Sequence, residues 1–429
     1  MGKQTKKNRM LNLIKEIFPF QRMINSKGLN NSFNIIEKYL PGLKIHEYEV
    51  GSESESWIVP LGWSVINGYM KDKENKEIAS TKESVLFVAP YSKPVEGWFS
   101  KNEIRSHLST RKDRPDDFVL EHRNAYNYKL QDWGITLPYN RWNKLTDDLY
   151  YINIETEEYE NTMKVGEYYI RGNSDETIFI CAHIDELCND DLSGCAVAVE
   201  LINHIKSLSN LIYSYRLLLV PETIGTIFYF FNNLSTLNKT TGMIFLETLG
   251  AGENLCLKKS LSSDSFNEIL RYAIRKSNSK CVELDFYQGY SNDEKIFEWP
   301  TFRFPGVSLL RFPFKEYHTS SDTPEIIKID YLEQSLEICK NFIDTLEKNY
   351  IPIFSKKLPP YLSRFDLYYE SNEFPEVFLK YNNILLYNIN GNNSVMDLSR
   401  ITDLQFEDLY NHLEKFYSLG FINKFKVKY

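Results

Sequence analysis

IFICAHIDELCNDDLSG, residues 178–194, is the stretch that decides how the rest of the chain is read. Its apolar, β-branched opening, Ile178, Phe179 and Ile180, has the character of a buried strand that ends at His183 and Asp185. A polar turn then delivers Asp190 just ahead of Ser193, Gly194, Cys195 and Ala196, the small-residue start of a helix. In an open α/β sheet, loops at the carboxyl ends of strands line the crevice where ligands bind. An imidazole and carboxylates at this spacing suit a borderline metal such as zinc, with Asp185 placed to accept the proton on the far ring nitrogen of His183. The same residues also suit a solvated surface cluster or a helix cap, with Ser193 or Asp190 at the N-cap position.

Outward from this stretch, residues 176–349 alternate strand and helix. Strands are expected at 178–182, 215–220, 243–246, 282–286 and 307–311, and helices at 196–207, 226–234, 265–277, 294–298 and 331–347. That alternation predicts an α/β sheet. Several of its strands end in a residue able to hold a metal or move a proton: Glu222 follows the second, Glu247 the third, and Glu316, Tyr317 and His318 follow the last. Unrelated surface residues have no reason to collect at one sheet edge. With His183 and Asp190, they point to metal-assisted hydrolysis. There zinc lowers the pKa of its water to roughly 7 and polarises a carbonyl, while a free carboxylate carries the proton to the leaving amine. Asp293, Glu294, Arg311 and Tyr317 stand near this edge as candidates for orienting substrate, and Asp322, before Thr323 and Pro324, reads as a helix or turn cap.

The flanks differ in texture. Residues 1–10 have the composition of a mobile basic tail, and 10–40 carry apolar residues at helical spacing, broken by Ser26-Lys27-Gly28. Between 50 and 165 short β-like runs and turns prevail, with strands expected at 63–70, 84–89, 150–154 and 165–170, and five of the six tryptophans fall there, more simply as core than as a binding platform. Residues 352–360, with Pro359-Pro360, suggest a linker. Beyond it, three helical segments at 376–387, 393–401 and 405–419 precede a strand at 421–427, the texture of a winged helix.

With 429 residues, 42% hydrophobic, the chain can fill two or three cores. A formal charge of -8 gives no general attraction to nucleic acid or anionic membrane, and no run approaches the roughly 20 apolar residues of a spanning helix. Six cysteines without CxxC spacing fit a reduced, cytoplasmic setting.

HIDELCNDDLSG, PETIG (221–225) and EYHTSSDT (316–323), in this order, resemble the zinc aminopeptidase clan of co-catalytic α/β exopeptidases. The closer resemblance is to its bacterial aminopeptidase-like branch, often associated with surface-polysaccharide biosynthesis. IFPFQRMINSKG (17–28) resembles that branch's opening helix, 57–134 its inserted β-rich domain, and the last seventy residues its winged helix. The resemblance implies a mixed sheet flanked by helices, built from 1–48 and 166–350 around an inserted domain at 49–165, with a winged-helix-like domain at 356–429. It implies His183 on one metal, Asp190 bridging two and His318 on the second. Glu222 becomes the general acid/base, and Asp185 orients His183. Two departures bear on the metal count: Thr223 stands where a second glutamate is usual, and Glu247 where an aspartate ligand is usual. One zinc ion, with a weak second site left open, is the expectation, and the His183–Asp190 loop is shorter than in typical members.

The function expected is a zinc-dependent amide hydrolase acting on a peptide or an amino-acyl or N-acyl sugar. Thr223 keeps open a metal-binding pseudoenzyme or scaffold. A winged-helix DNA regulator is the third reading, and it is disfavoured by charge. Residues 356–429 carry nine Lys/Arg against nine Asp/Glu, and the expected recognition helix holds Glu407, Asp408 and Glu414 against Lys415 alone, whereas phosphate binding wants a basic face. A protein contact or a homo-oligomer interface suits that domain better.

Overall fold

The computed structural model describes residues 3–122, 132–370 and 375–429. An eight-stranded mixed sheet forms its centre, in the order Lys44–Glu49, Thr162–Ile170, Ser214–Val220, Thr177–His183, Thr240–Glu247, Gly306–Phe312, Asn254–Lys258, Val282–Leu284. Thr177–His183 is buried along its whole length and runs parallel to both neighbours. A strand covered on both faces takes an unbroken apolar run, which is why 178–182 lacks polar alternation. Ile178, Ile180 and Ala182 enter one core, while Phe179 and Cys181 enter the other.

From this first parallel strand the chain crosses to Ser214–Val220 on one side, then to Thr240–Glu247 on the other. The reversal leaves a crevice beyond the carboxyl end of Thr177–His183, where open α/β sheets bind ligands. Helices Leu192–Ile205, Asp264–Lys276 and Ile329–Lys348, with the N-terminal pair Lys3–Ile17 and Lys27–Tyr39, cover one face, and Ile224–Asn232 and Glu294–Phe297 lie on the other. Asp264–Lys276 shows the underlying pattern: Phe266, Ile269, Leu270, Ala273 and Ile274 form a buried stripe at helical spacing, started by Ser263, whose side chain accepts from the Phe266 N–H.

Several expectations need correction. The first helix begins at Lys3, so most of the basic segment is helical rather than a free tail. Residues 84–89 hold a single turn of 3-10 helix, Val85–Phe87, started by the Ser84 side chain. Strand Thr162–Ile170 lies wholly in the large sheet, so the turn at 160–161, not residue 165, separates it from the inserted β unit. The linker expected at 352–360 begins inside a strand, Tyr350–Phe354, paired antiparallel with Ile422–Lys426; on an edge, Pro352 costs no ladder hydrogen bond.

The inserted unit is a four-stranded antiparallel sheet, Glu77–Ser80, Gly62–Lys71, Leu149–Tyr159 and Val95–Ser100, with its own core around Trp63, Phe87, Trp142 and Ile152. The C-terminal unit follows the last long helix as helices through 375–388, Val395–Thr402 and Phe406–Ser418, closed by the two-stranded ribbon. Its core runs on into that of the α/β domain, and Glu407 pairs with Lys276 and Lys348 at 2.6 and 2.7 Å. Among the described residues no helix is long and apolar enough to cross a membrane.

Candidate metal centre

Strand register builds the site. His183 closes the central strand opposite Val220, two residues before Glu222. Because Cys181 is level with Phe245 on the other side, His183 is level with Glu247. The His183 ring is 1% exposed, its Nδ1 3.2 Å from Asp185 Oδ1 and its Nε2 3.1 Å from Asp190 Oδ1. Asp185 Oδ1 also accepts the Glu222 backbone N–H at 3.1 Å, so one carboxylate fixes both the ring and the start of the Glu222 loop. Glu247 is 2% exposed, and among the described residues its Oε1 has no hydrogen-bond partner. His183, Asp190 and Glu247 present ligand atoms that all lie within 4.8 Å of one another.

Asp190 faces both ways. Its Oδ2 is 3.2 Å from His318 Nε2, which is also 3.1 Å from Glu186 Oε2. His122, Glu186 and His318 form a second group with the same 4.8 Å closeness. The sequence-predicted residues His183, Asp185, Asp190, Glu222, Glu247 and His318 therefore converge on one crevice.

The loop that carries them is held by backbone capture. Asp322 accepts N–H bonds from Cys188, Asn189 and Asp190 at 3.3, 2.7 and 3.2 Å, so it tethers the loop that carries Asp190 instead of capping the turn beside it. The N-cap of helix Leu192–Ile205 is Asp191, not Ser193 or Asp190, and Asp191 Oδ1 accepts from Gly194 and Thr248 N–H at 3.0 Å each. Gly194 is required there: a Cβ would stand 2.3 Å from the Leu246 carbonyl oxygen and 2.5 Å from the Asp191 carboxylate. Arg311 faces away from the crevice, its Nε donating to the Leu249 carbonyl at 3.3 Å and its guanidinium lying over Tyr331, so it is not placed to orient substrate. Tyr317 is stacked between His318 and Tyr290, with centroids 3.8 and 4.2 Å away.

The electrostatics are those of buried anions in search of a cation. Burial pushes the Glu247 carboxyl well up, and Asp190 and Asp191 push it further. Burial and the neighbouring Glu186 push Glu222 up to about 8. Burial alone would lower the histidines, but Asp185 and Asp190 hold His183 well above its usual range, and Glu186 and Asp190 hold His318 at about 10. Acids that resist ionising and imidazoles that resist losing their protons are the two sides of one surplus of carboxylate. A divalent cation reverses both. Two imidazoles, a shared carboxylate and the unpartnered Glu247 oxygen are a donor set that fits zinc.

Sequence reasoning gave no role to His122, Glu186, Asp191 or Arg22. Glu186 and Asp191 stood inside the quoted stretch, next to residues that were assigned. His122 lies in the inserted unit, far from any spacing pattern, and Arg22 (1% exposed) acts through backbone carbonyls that no side-chain motif records.

Comparison with known proteins agrees with this architecture. A family model described as a domain of unknown function, DUF4910, matches residues 11–349. The chain belongs to the DUF4910 family. Beyond the DUF4910 region the likeness extends into the C-terminal unit. A Clostridium acetobutylicum protein whose name couples polysaccharide biosynthesis with an aminopeptidase-like domain is 29% identical over 410 residues, covering 92% of this chain and 91% of its own. A crystal structure from the same organism, described as that of a peptidase, superposes with a TM-score of 0.83 at 26% identity, over 97% of this chain and 96% of that one. The zinc aminopeptidase of Bacillus subtilis shares the fold at a TM-score of 0.58 and 14% identity, over 79% of this chain and 94% of its own. This DUF4910 chain thus has an aminopeptidase-like fold.

Proposed function

We propose that the protein is a cytoplasmic, zinc-dependent hydrolase of an amide bond, acting on a peptide with a free amino end or on an amino-acyl or N-acyl sugar in surface-polysaccharide biosynthesis. One observation carries this reading: at the end of the central strand, Asp190 offers one oxygen to His183 and the other to His318, beside the unpartnered Glu247 oxygen. Zinc bound there would polarise the scissile carbonyl and supply a water of pKa near 7. His183, Asp190 and Glu247 would hold it, with His318 on the far side of Asp190. Asp185 keeps the Nδ1 proton of His183 engaged, which turns the Nε2 lone pair toward the centre. Glu222 is only partly exposed, at 18%, and its carboxylate would take a proton from the attacking water and return it to the leaving nitrogen. The substrate class is supported by the name of the Clostridium acetobutylicum relative.

A second reading, a metal-holding scaffold without turnover, is favoured by Thr223. Its N–H donates to Asp293 at 3.1 Å, and it offers only a hydroxyl where a carboxylate would strengthen the site. Zinc content of the purified full chain, measured together with turnover of amino-acyl chromogenic amides and N-acyl sugars, separates the two. Bound zinc with chelator-sensitive hydrolysis supports the enzyme, and bound zinc with no hydrolysis supports the scaffold. Glu407, at the start of the expected recognition helix, pairs with Lys276 and Lys348, which adds to the charge argument against the regulator reading. The C-terminal unit exposes Leu358, Tyr361 and Tyr387, apolar side chains suited to contact with a protein or a second copy of the chain.

A further inference from the structure

We propose that His122, Glu186 and His318 hold a second zinc-type ion, so that the inserted unit completes the metal centre and Asp190 links the two ions. The proposal rests on the reading of the His183 pocket as metal-holding; the sequence pattern already gives His318 and a bridging Asp190 to a second metal, and what is new is the pair His122 and Glu186, which that pattern does not contain.

Three separate parts of the chain are held in place to make this pocket. The inserted unit reaches it by pairing its backbone with the His318 loop. The Leu120 N–H donates to the His318 carbonyl at 2.9 Å, the Ser320 N–H donates to the Phe118 carbonyl at 3.0 Å, and Val119 bridges antiparallel to Thr319. Two residues beyond this short ladder, His122 stands beside His318, with ring centroids 5.0 Å apart. Glu186 approaches from the other side and is held by Arg22. The Glu186 N–H donates to the Arg22 carbonyl at 3.0 Å, while the guanidinium donates to the carbonyls of Ile184 at 2.9 Å and Glu186 at 3.1 Å. Glu186 has φ +71, a conformation that a non-glycine residue adopts at a cost of about 1 kcal/mol. The loop keeps its carboxylate aimed inward despite that cost.

The interatomic distances favour an ion over a set of hydrogen bonds. Glu186 puts Oε1 3.2 Å from His122 Nε2 and Oε2 3.1 Å from His318 Nε2. His318 Nε2 has a second carboxylate oxygen, from Asp190, at 3.2 Å. A single N–H points along one line and satisfies one of these oxygens well. An ion seated between them is served by all, since ligand atoms at 2.0–2.1 Å around tetrahedral zinc stand roughly 3.3 Å apart. Two imidazole nitrogens with two carboxylates is a donor set for zinc or cobalt, not for magnesium or calcium. Asp190 spans the two pockets as a bridging carboxylate would, one oxygen to each, as in paired sites with ions about 4 Å apart. Thr223 contributes no carboxylate; its Oγ1 lies 3.5 Å from Glu222 Oε1. The acid for a second ion therefore comes from Glu186.

The test counts ions on the full chain by equilibrium dialysis against buffered zinc and, separately, cobalt, with metal quantified by mass spectrometry and cobalt read by its visible absorption. Wild type is expected to hold two ions per chain. His122→Ala and, as the shape-preserving alternative, Glu186→Gln are expected to hold one at free metal concentrations that saturate the first pocket. About half the cobalt absorption should be lost, with the far-ultraviolet spectrum and thermal midpoint of the metal-free protein unchanged. If wild type and both variants each hold one ion, the second pocket is overturned and the His183 pocket stands. If wild type holds none, both are overturned.

Discussion

The two pockets joined by Asp190 are built by different means. The His183–Asp190–Glu247 pocket hangs on strand ends: register alone makes His183 level with Glu247, and the small-residue start of the next helix closes against the sheet at Gly194. The His122–Glu186–His318 pocket is assembled from three loops, one of them from the inserted unit, and is held by backbone pairing and by one buried arginine. Strand-end positions are inherited from the fold, whereas loop positions have to be secured residue by residue. The first pocket should therefore respond only to changes at groups that touch its own ligands, and the second should fail when a single tether is cut.

The largest effect expected from a single substitution is on chemistry alone. Glu222→Gln should leave the metal content of both pockets intact while turnover of any good substrate falls by about 10²–10⁴-fold, the usual worth of general acid–base catalysis. Metal analysis and kinetics on the same preparation check it, and joint loss of metal and activity would make Glu222 a ligand. Arg22→Met cuts the tether of Glu186. Loss of charged hydrogen bonds to several buried carbonyls should cost about 2–4 kcal/mol in urea unfolding, and zinc should be lost from the second pocket before the first. Asp185→Asn should weaken zinc in the His183 pocket by about 10–100-fold in a competition titration, as losses of ligand-orienting groups do, with the His318 pocket little changed. Equal weakening of both pockets would break the distinction drawn between them.

The smallest effect lies outside both pockets. His412, 4% exposed among Tyr369, Tyr381 and Phe416, is lowered from 6.5 to about 4, first by burial and then by Lys415. The unfolded chain takes up this proton before the folded one, so its contribution is present above about pH 6.5 and is lost as the pH falls toward 4. Between pH 7.5 and 5.5 that amounts to about 1 kcal/mol, which His412→Gln should abolish in urea titrations. Metal content measured at neutral pH should not respond to that substitution.

How much of this was legible in the sequence follows the same division. The buried run 178–182, the small residues at 193–196 and the acids after later strands each act locally, so period and position were enough to place His183, Asp190, Glu222 and Glu247 on one sheet edge. The short strands Lys44–Glu49, at one edge of the sheet, and Asn254–Lys258, one place in from the other, went unseen because they owe their form to the neighbours they pair with. His122 was invisible for a related reason: its meaning depends on a ladder of a few hydrogen bonds between residues some 200 positions apart, and nothing in the composition of 118–122 announces that partner. Arg311 shows the opposite error, since nearness in sequence to the site suggested a role that its direction denies.

The account stands most directly on where metal sits in a crystal of the full chain, read as anomalous scattering across the zinc edge. It predicts a peak about 2.0–2.2 Å from His183 Nε2 and from carboxylate oxygens of Asp190 and Glu247. A crystal grown with zinc in which His183 and Asp190 remain in hydrogen-bond contact, with no peak between them and Glu247, would contradict it.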